Sequence, residues 1–129
     1  MCLYIGNYDV SVIADEDITV YKILRKTYAN GHYLSPYQNF GYELGKEYQS
    51  KLVRIEYESG KTVIEEGLHT FVRRDEAQCN ITLSGRHSEE YVIVECIIPK
   101  GSRYYVGKWG FFNFESIASD TLRTVKVCE

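Results

Sequence analysis

Tyr91-Val92-Ile93-Val94-Glu95-Cys96-Ile97-Ile98 is the stretch whose reading decides the fold class. Every residue but Glu95 is apolar, and β-branched side chains dominate, which suits a pleated, covered surface. In a strand, successive side chains alternate sides. Val92, Val94, Cys96 and Ile98 then fill one face. Tyr91, Ile93 and Ile97 make the other face apolar as well. A strand apolar on both faces belongs in the middle of a sheet with cover on each side. Ile98-Pro99-Lys100-Gly101 follows it and matches a type I turn, with Pro second and Gly fourth.

Working outward, residues 18–24 (Ile-Thr-Val-Tyr-Lys-Ile-Leu) are rich in β-branched and aromatic residues and predict a strand. Asn30-Gly31 supplies the positive-φ positions of a tight hairpin, and residues 32–34 are its short return. Residues 52–58 alternate cleanly: Val53, Ile55 and Tyr57 on one side, Arg54, Glu56 and Glu58 on the other. Ser59-Gly60 is a two-residue turn, and residues 61–64 return. Residues 68–72, 104–106, 114–117 and 122–128 read as further strands, the last two split by Ser119-Asp120. Short apolar runs at residues 2–5 and at Val10, Val12 and Ile13 open the chain.

Two stretches read as loops. Residues 35–46 (Ser-Pro-Tyr-Gln-Asn-Phe-Gly-Tyr-Glu-Leu-Gly-Lys) fit no period, and predict a surface loop carrying Tyr37, Phe40 and Tyr42. Folding of those rings back onto the sheet is the competing reading. Residues 107–113 form a Gly- and aromatic-rich loop around Trp109 and Phe111. Helical spacing appears in residues 74–84, where Ala77, Ile81 and Ser84 share a face and Gly85 is a stop signal; residues 79–83 read equally as strand. The expectation is an α+β fold, a mainly antiparallel β-sheet with one short helix at about residues 74–84. With 129 residues, no repeat and no linker, one domain over residues 1–129 is expected.

The apolar fraction of 44% is near the globular norm, and a chain this long buries roughly two thirds of its unfolded surface. Net charge is −3, and Lys and Arg are scattered rather than clustered, which speaks against a nucleic-acid partner. No apolar run nears the ~20 residues a membrane helix needs. Cys2, Cys79, Cys96 and Cys128 lie far apart without a Cys-x-x-Cys pair, so neither a zinc site nor any other metal is predicted. No charged segment followed by an apolar run opens the chain. The expected setting is cytoplasmic, with reduced thiols. Nothing in the pattern asks for a cofactor. Tyrosine is enriched, at 12 residues, and suits half-buried sheets and wet interfaces.

Several pieces together resemble a known group: Tyr21-Lys22 on an early strand, Ser35-Pro36-Tyr37 in a loop, Tyr42-x-x-Gly45, Gly67-Leu68-His69-x-Phe71, and Ile98-Pro99-Lys100-Gly101-x-x-Tyr104-Tyr105-x-Gly107. Their order is similar to short proteins of no assigned activity from gut Bacteroidetes and their phages or mobile elements. The resemblance spans most of the chain. It implies a phage or mobile-element setting and brings no catalytic residues with it.

His69 is the first residue to weigh for chemistry, because its ordinary pKa lies near neutrality. The competing reading is a ring that bonds neighbouring backbone and pins the turn at Gly67. His32 and His87 sit in turn-like, solvated segments. A cleft lined by Tyr21, Tyr37, Tyr42, Gly67, His69 and Tyr105 is one expectation, and Glu95 would supply a catalytic carboxylate if the site were of the ADP-ribosyltransferase sort. The leading expectation is instead a non-enzymatic domain that binds a protein partner, or a second copy of itself, through Phe40, Trp109 and Phe111. Cys2 as an N-terminal nucleophile rests on one residue, and the pairs Glu65-Glu66 and Glu89-Glu90 carry little weight, since strand neighbours face opposite ways.

Overall fold

The computed structural model describes residues 3–5, 10–27, 31–35, 40–83, 90–109 and 114–128. Its strands are β1 (Leu3–Ile5), β2 (Val12–Ile13), β3 (Ile18–Lys26), β4 (His32–Leu34), β5 (Gly41–Glu43), β6 (Glu47–Gln49) and β7 (Val53–Glu56). They continue as β8 (Thr62–Glu66), β9 (Leu68–Phe71), β10 (Tyr91–Ile98), β11 (Arg103–Trp109), β12 (Phe114–Ser119) and β13 (Thr121–Val127). The described helix is α1 (Arg74–Leu83), between β9 and β10. The fold is α+β: a mainly antiparallel sheet with one short helix, as the residue pattern predicts.

Strand order runs β6-β13-β10-β3-β9-β12-β11-β1-β8-β7. β10 lies inside it, paired along its whole length with β3, from Tyr91↔Arg25 to Ile98↔Ile18. On its other side it pairs with β13. The two-sided apolar strand is therefore covered on both faces. Val94, Cys96 and Ile98 pack with Val20, Leu24 and Leu122 in one core cluster. Ile93 packs on the opposite face with Ile23, Phe71 and the helix residues Ala77 and Ile81.

Two short connections force the sheet to curl. β6 and β7 stand at opposite ends of the strand order, yet residues 50–52 alone join them. Four Cα steps reach at most roughly 14 Å, so the two ends lie close together. β8 and β9 are separated by three strands in the order but by Gly67 alone in the chain. Inside that tighter curl Leu3, Ile5, Ile64 and Ala118 form a third cluster.

The structure corrects several readings. Residues 35–46 are not one loop, because β5 pairs with β4 through Tyr33↔Tyr42. Three residues are too few to show a period, and the pairing is supplied from elsewhere in the chain. Tyr42 is 4% exposed, so it covers the sheet instead of standing on a surface loop. β11 runs on through Gly107 to Trp109. Gly107 signals close approach here, not a loop: a Cβ at that position would meet the Tyr4 carbonyl of the neighbouring β1. The turn after β10 is shifted by one residue, since the Ser102 amide donates to the Pro99 carbonyl at 3.0 Å. Gly101 then stands third, at φ +91°, where a type II turn needs a positive φ. Tyr57 is 51% exposed and lies beyond the end of edge strand β7, so it does not join Val53 and Ile55. Asn30, Pro36, Tyr37, Ser84, Gly85, His87, Phe111 and Cys2 fall outside the described residues.

Candidate functional site

The site begins where the sheet opens. β3 pairs with β9 at Tyr21↔Phe71 alone. Further along the same edge it pairs with β4, at Arg25↔Leu34 and Lys26↔Tyr33. Between these contacts, residues 22–24 of β3 and residues 68–70 of β9 diverge. A cavity of about 400 Å³ occupies the region, within the range of small-molecule sites. Its walls come from β3, Ser35, Phe40, β5, the β6–β7 connection, the Gly67 corner, α1 and Trp109.

Lys22 is part of the wall. The face of β3 that carries Val20 and Leu24 points into the core, and Lys22 stands between them, opposite Val94. It is 7% exposed. Its Nζ donates to the His69 carbonyl at 2.7 Å, bridging the gap between β3 and β9. It also lies 5.3 Å from the centre of the Tyr42 ring, in cation–π range. Among the described residues, that carbonyl is its hydrogen-bond acceptor and no carboxylate forms an ion pair with it. An ammonium has three N–H donors, so two are left without an acceptor among the described residues. Burial pulls the Lys22 pKa down from 10.5 to about 8.

Tyr42 is held by edge-to-face contacts with Phe40 at 5.0 Å and Tyr48 at 4.8 Å. The Tyr48 hydroxyl accepts from the Glu43 amide at 2.7 Å, and the Thr124 hydroxyl donates to the Glu43 carbonyl at 2.6 Å. These bonds tie β5 over β13. The Ser35 Oγ accepts from the Phe40 amide at 3.0 Å. On the helix side, Phe71 meets Trp109 edge-on at 5.5 Å.

His69 lines the same cavity, but its ring is engaged with backbone. Nδ1 lies 2.9 Å from the Gly67 carbonyl and Nε2 lies 3.3 Å from the Ile64 carbonyl. A neutral ring has one N–H and can donate to one of them; only the imidazolium could serve both. Burial, aided by the nearby Lys22 charge, pushes the pKa down to about 4. The ring is therefore neutral at pH 7, with both nitrogens turned to carbonyls. It pins the corner at Gly67, where φ is +156° and a Cβ would come 2.8 Å from Leu52 Cδ2 and 3.4 Å from Ala118 Cβ. His69 thus positions Lys22 through its carbonyl and the β8–β9 corner through its ring.

The predicted site residues separate. Tyr42, Gly67 and His69 line the cavity together, and Phe40 and Trp109 join them. Phe40 is 47% exposed, at the rim; Trp109 is half-buried. Tyr21, Tyr105 and Glu95 are not on its walls. Tyr105 packs in the third cluster, opposite Ala118. Glu95 pairs with Tyr21, and Tyr21 with Phe71, so two strand spacings, roughly 10 Å, separate β10 from β9. Glu95 and His69 do not form a catalytic pair in this arrangement. Tyr37 and Phe111 lie outside the described residues. Lys22 is a site residue that the residue pattern alone did not single out. A signal for it exists: a lysine inside the period-2 apolar face Ile18-Val20-Lys22-Leu24.

No protein family, curated protein or solved structure matches the chain. Among the described residues no group of three or more His, Cys, Asp or Glu side chains could hold a metal ion. No described helix is long and apolar enough to cross a membrane.

Proposed function

We propose that this chain is a small-ligand-binding domain, whose ligand sits between β3, β9 and the β5 cover. One observation carries the reading: the sheet parts between β3 and β9, and the opening leads to a cavity of about 400 Å³ walled by aromatic rings. Rings that merely filled a core would leave no such space, because interiors pack to near-crystal density. We infer no catalytic role for His69 or Glu95. The ring of the first is buried against two backbone carbonyls, and the second is off the cavity wall.

The reading is tested with the neutral fluorescent probe N-phenyl-1-naphthylamine. Saturable binding at one probe per chain is expected, with energy transfer from Trp109. Ser50, on the β6–β7 connection, lines the cavity and is half-buried. Ser50→Trp should block the probe without unfolding the domain. Unsaturable binding, or binding unchanged by Ser50→Trp, would refute the proposal.

The exposure of Phe40 supports a second reading, in which the aromatic residues hold a protein partner or another copy of the chain. Light scattering that shows a dimer lost in Phe40→Ser would favour it. From the resemblance to short proteins of gut Bacteroidetes and their phages or mobile elements we infer a mobile-element setting, and from cysteines that lie far apart, without a Cys-x-x-Cys pair, a cytoplasmic location.

A further inference from the structure

Resting on the ligand-binding reading, we propose that the ligand is a small organic acid with a flat apolar body and a single carboxylate, and that Lys22 is the group that receives the carboxylate.

The buried charge in the cavity wall is unbalanced. An ammonium removed from water is costly unless an opposite charge and hydrogen bonds replace the lost hydration. Lys22 has a carbonyl at 2.7 Å and a tyrosine ring at 5.3 Å, and no carboxylate among the described residues. The titratable groups that interact with it are Cys96 on β10, Tyr42 on β5 and His69 on β9. Burial pushes the Cys96 thiol up to about 12 and the Tyr42 phenol well above its ordinary value, so both stay neutral at pH 7. The His69 ring, buried with a pKa of about 4, is neutral too. Among the described residues Lys22 is thus the one buried charged group that lines the cavity, with donors to spare. A carboxylate arriving there supplies both the missing charge and the missing acceptors.

The other walls set the rest of the ligand. Phe40, Tyr42, Phe71 and Trp109 offer ring faces and edges to a planar apolar body. Among the described residues no arginine lines the cavity, and its second lysine, Lys51, is exposed. One buried cation matches one negative charge, which favours a monocarboxylate over a polyphosphate. Glu66, exposed at the rim, would repel a second anionic group there.

The test compares 2-naphthoate with 2-naphthamide, which share shape and differ in charge, by tryptophan quenching and calorimetry at pH 7. The naphthoate is expected to bind at least tenfold more tightly. Lys22→Met and Lys22→Gln should each remove the preference while the naphthamide still binds. Lys51→Met should keep it, which separates the buried amine from the lysine at the rim. Equal binding of the two compounds, or a preference that survives loss of Lys22, overturns the assignment and leaves the ligand-binding reading standing. Failure of both naphthalene compounds and of N-phenyl-1-naphthylamine to bind overturns both.

Discussion

Lys22→Met should make the folded protein more stable at pH 7, and the gain should vanish as the pH rises. The folded-state pKa of Lys22 is about 8, against 10.5 for an ordinary lysine. Below pH 8 the amine is charged in both states, and the folded state bears the full cost of burying it. At ~1.36 kcal/mol per pKa unit, that cost is about 3 kcal/mol. Between pH 8 and 10.5 the folded amine sheds its proton while the unfolded one keeps it, so wild-type stability rises with pH. Methionine fills a similar volume and adapts to irregular space. It loses the 2.7 Å bond to the His69 carbonyl, leaving a buried acceptor unsatisfied at about 1–2 kcal/mol. The variant should therefore gain about 1–2 kcal/mol at pH 7, and the difference should change sign between about pH 9 and 10. Urea denaturation of both proteins from pH 7 to 10 measures it. The surface lysines and tyrosines titrate alike in the two chains and cancel in the difference. A variant less stable at pH 7, or a difference flat across the series, would refute the claim that Lys22 is a desolvated cation held at a cost. If that claim and the naphthoate preference both hold, Lys22 trades stability for binding.

His69 shapes the acid side. Its folded pKa of about 4 lies below the ordinary 6.5, so the fold favours the neutral ring. Its stabilising contribution is complete above pH 6.5 and is lost as the pH falls from 6.5 through 4, by about 3 kcal/mol in all. A pH series of urea midpoints should show that loss in wild type relative to His69→Gln, and parallel curves would contradict it. Gly67→Ala should destabilise by about 2–4 kcal/mol, because it adds a clash with Leu52 to an unfavourable backbone angle; thermal melting measures it, and a neutral result would mean the corner relaxes freely. Ile81→Ala, which removes the helix contact with Ile23 and Phe71, should cost about 2–4 kcal/mol in the same melts. Glu95→Gln should leave naphthoate affinity unchanged within twofold, since Glu95 is off the cavity wall; a loss of tenfold would bring it back into the site.

Part of the site is legible in the residue pattern. His69 and Gly67 stand out because a histidine beside a glycine at a strand boundary suggests a pinned corner, and Tyr42 because aromatics in an aperiodic stretch must either bind or cover. Lys22 is harder to see. Its neighbours Val20 and Leu24 mark it as inward-facing, but a single polar residue in an apolar alternation also occurs at edges and bulges. Only the pairing of β3 with β10 on one side, and its parting from β9 on the other, places the amine in a buried opening. Glu95 and Tyr105 group with His69 on the residue pattern and not in the fold, because period alone does not say which strand lies beside which.

Local alternation by itself marked most of the strands and placed β10 inside the sheet, because each depends on side chains a few residues apart; it left residues 79–83 open between helix and strand and read β5 and the end of β11 as loop. The curl of the sheet, the gap between β3 and β9, and the meeting of Lys22 with the His69 carbonyl were decided only by tertiary structure. That last contact joins residues 47 positions apart in the chain, and no spacing rule operates over such a distance. The cavity is a product of strand order, and strand order is fixed by the packing of the whole chain.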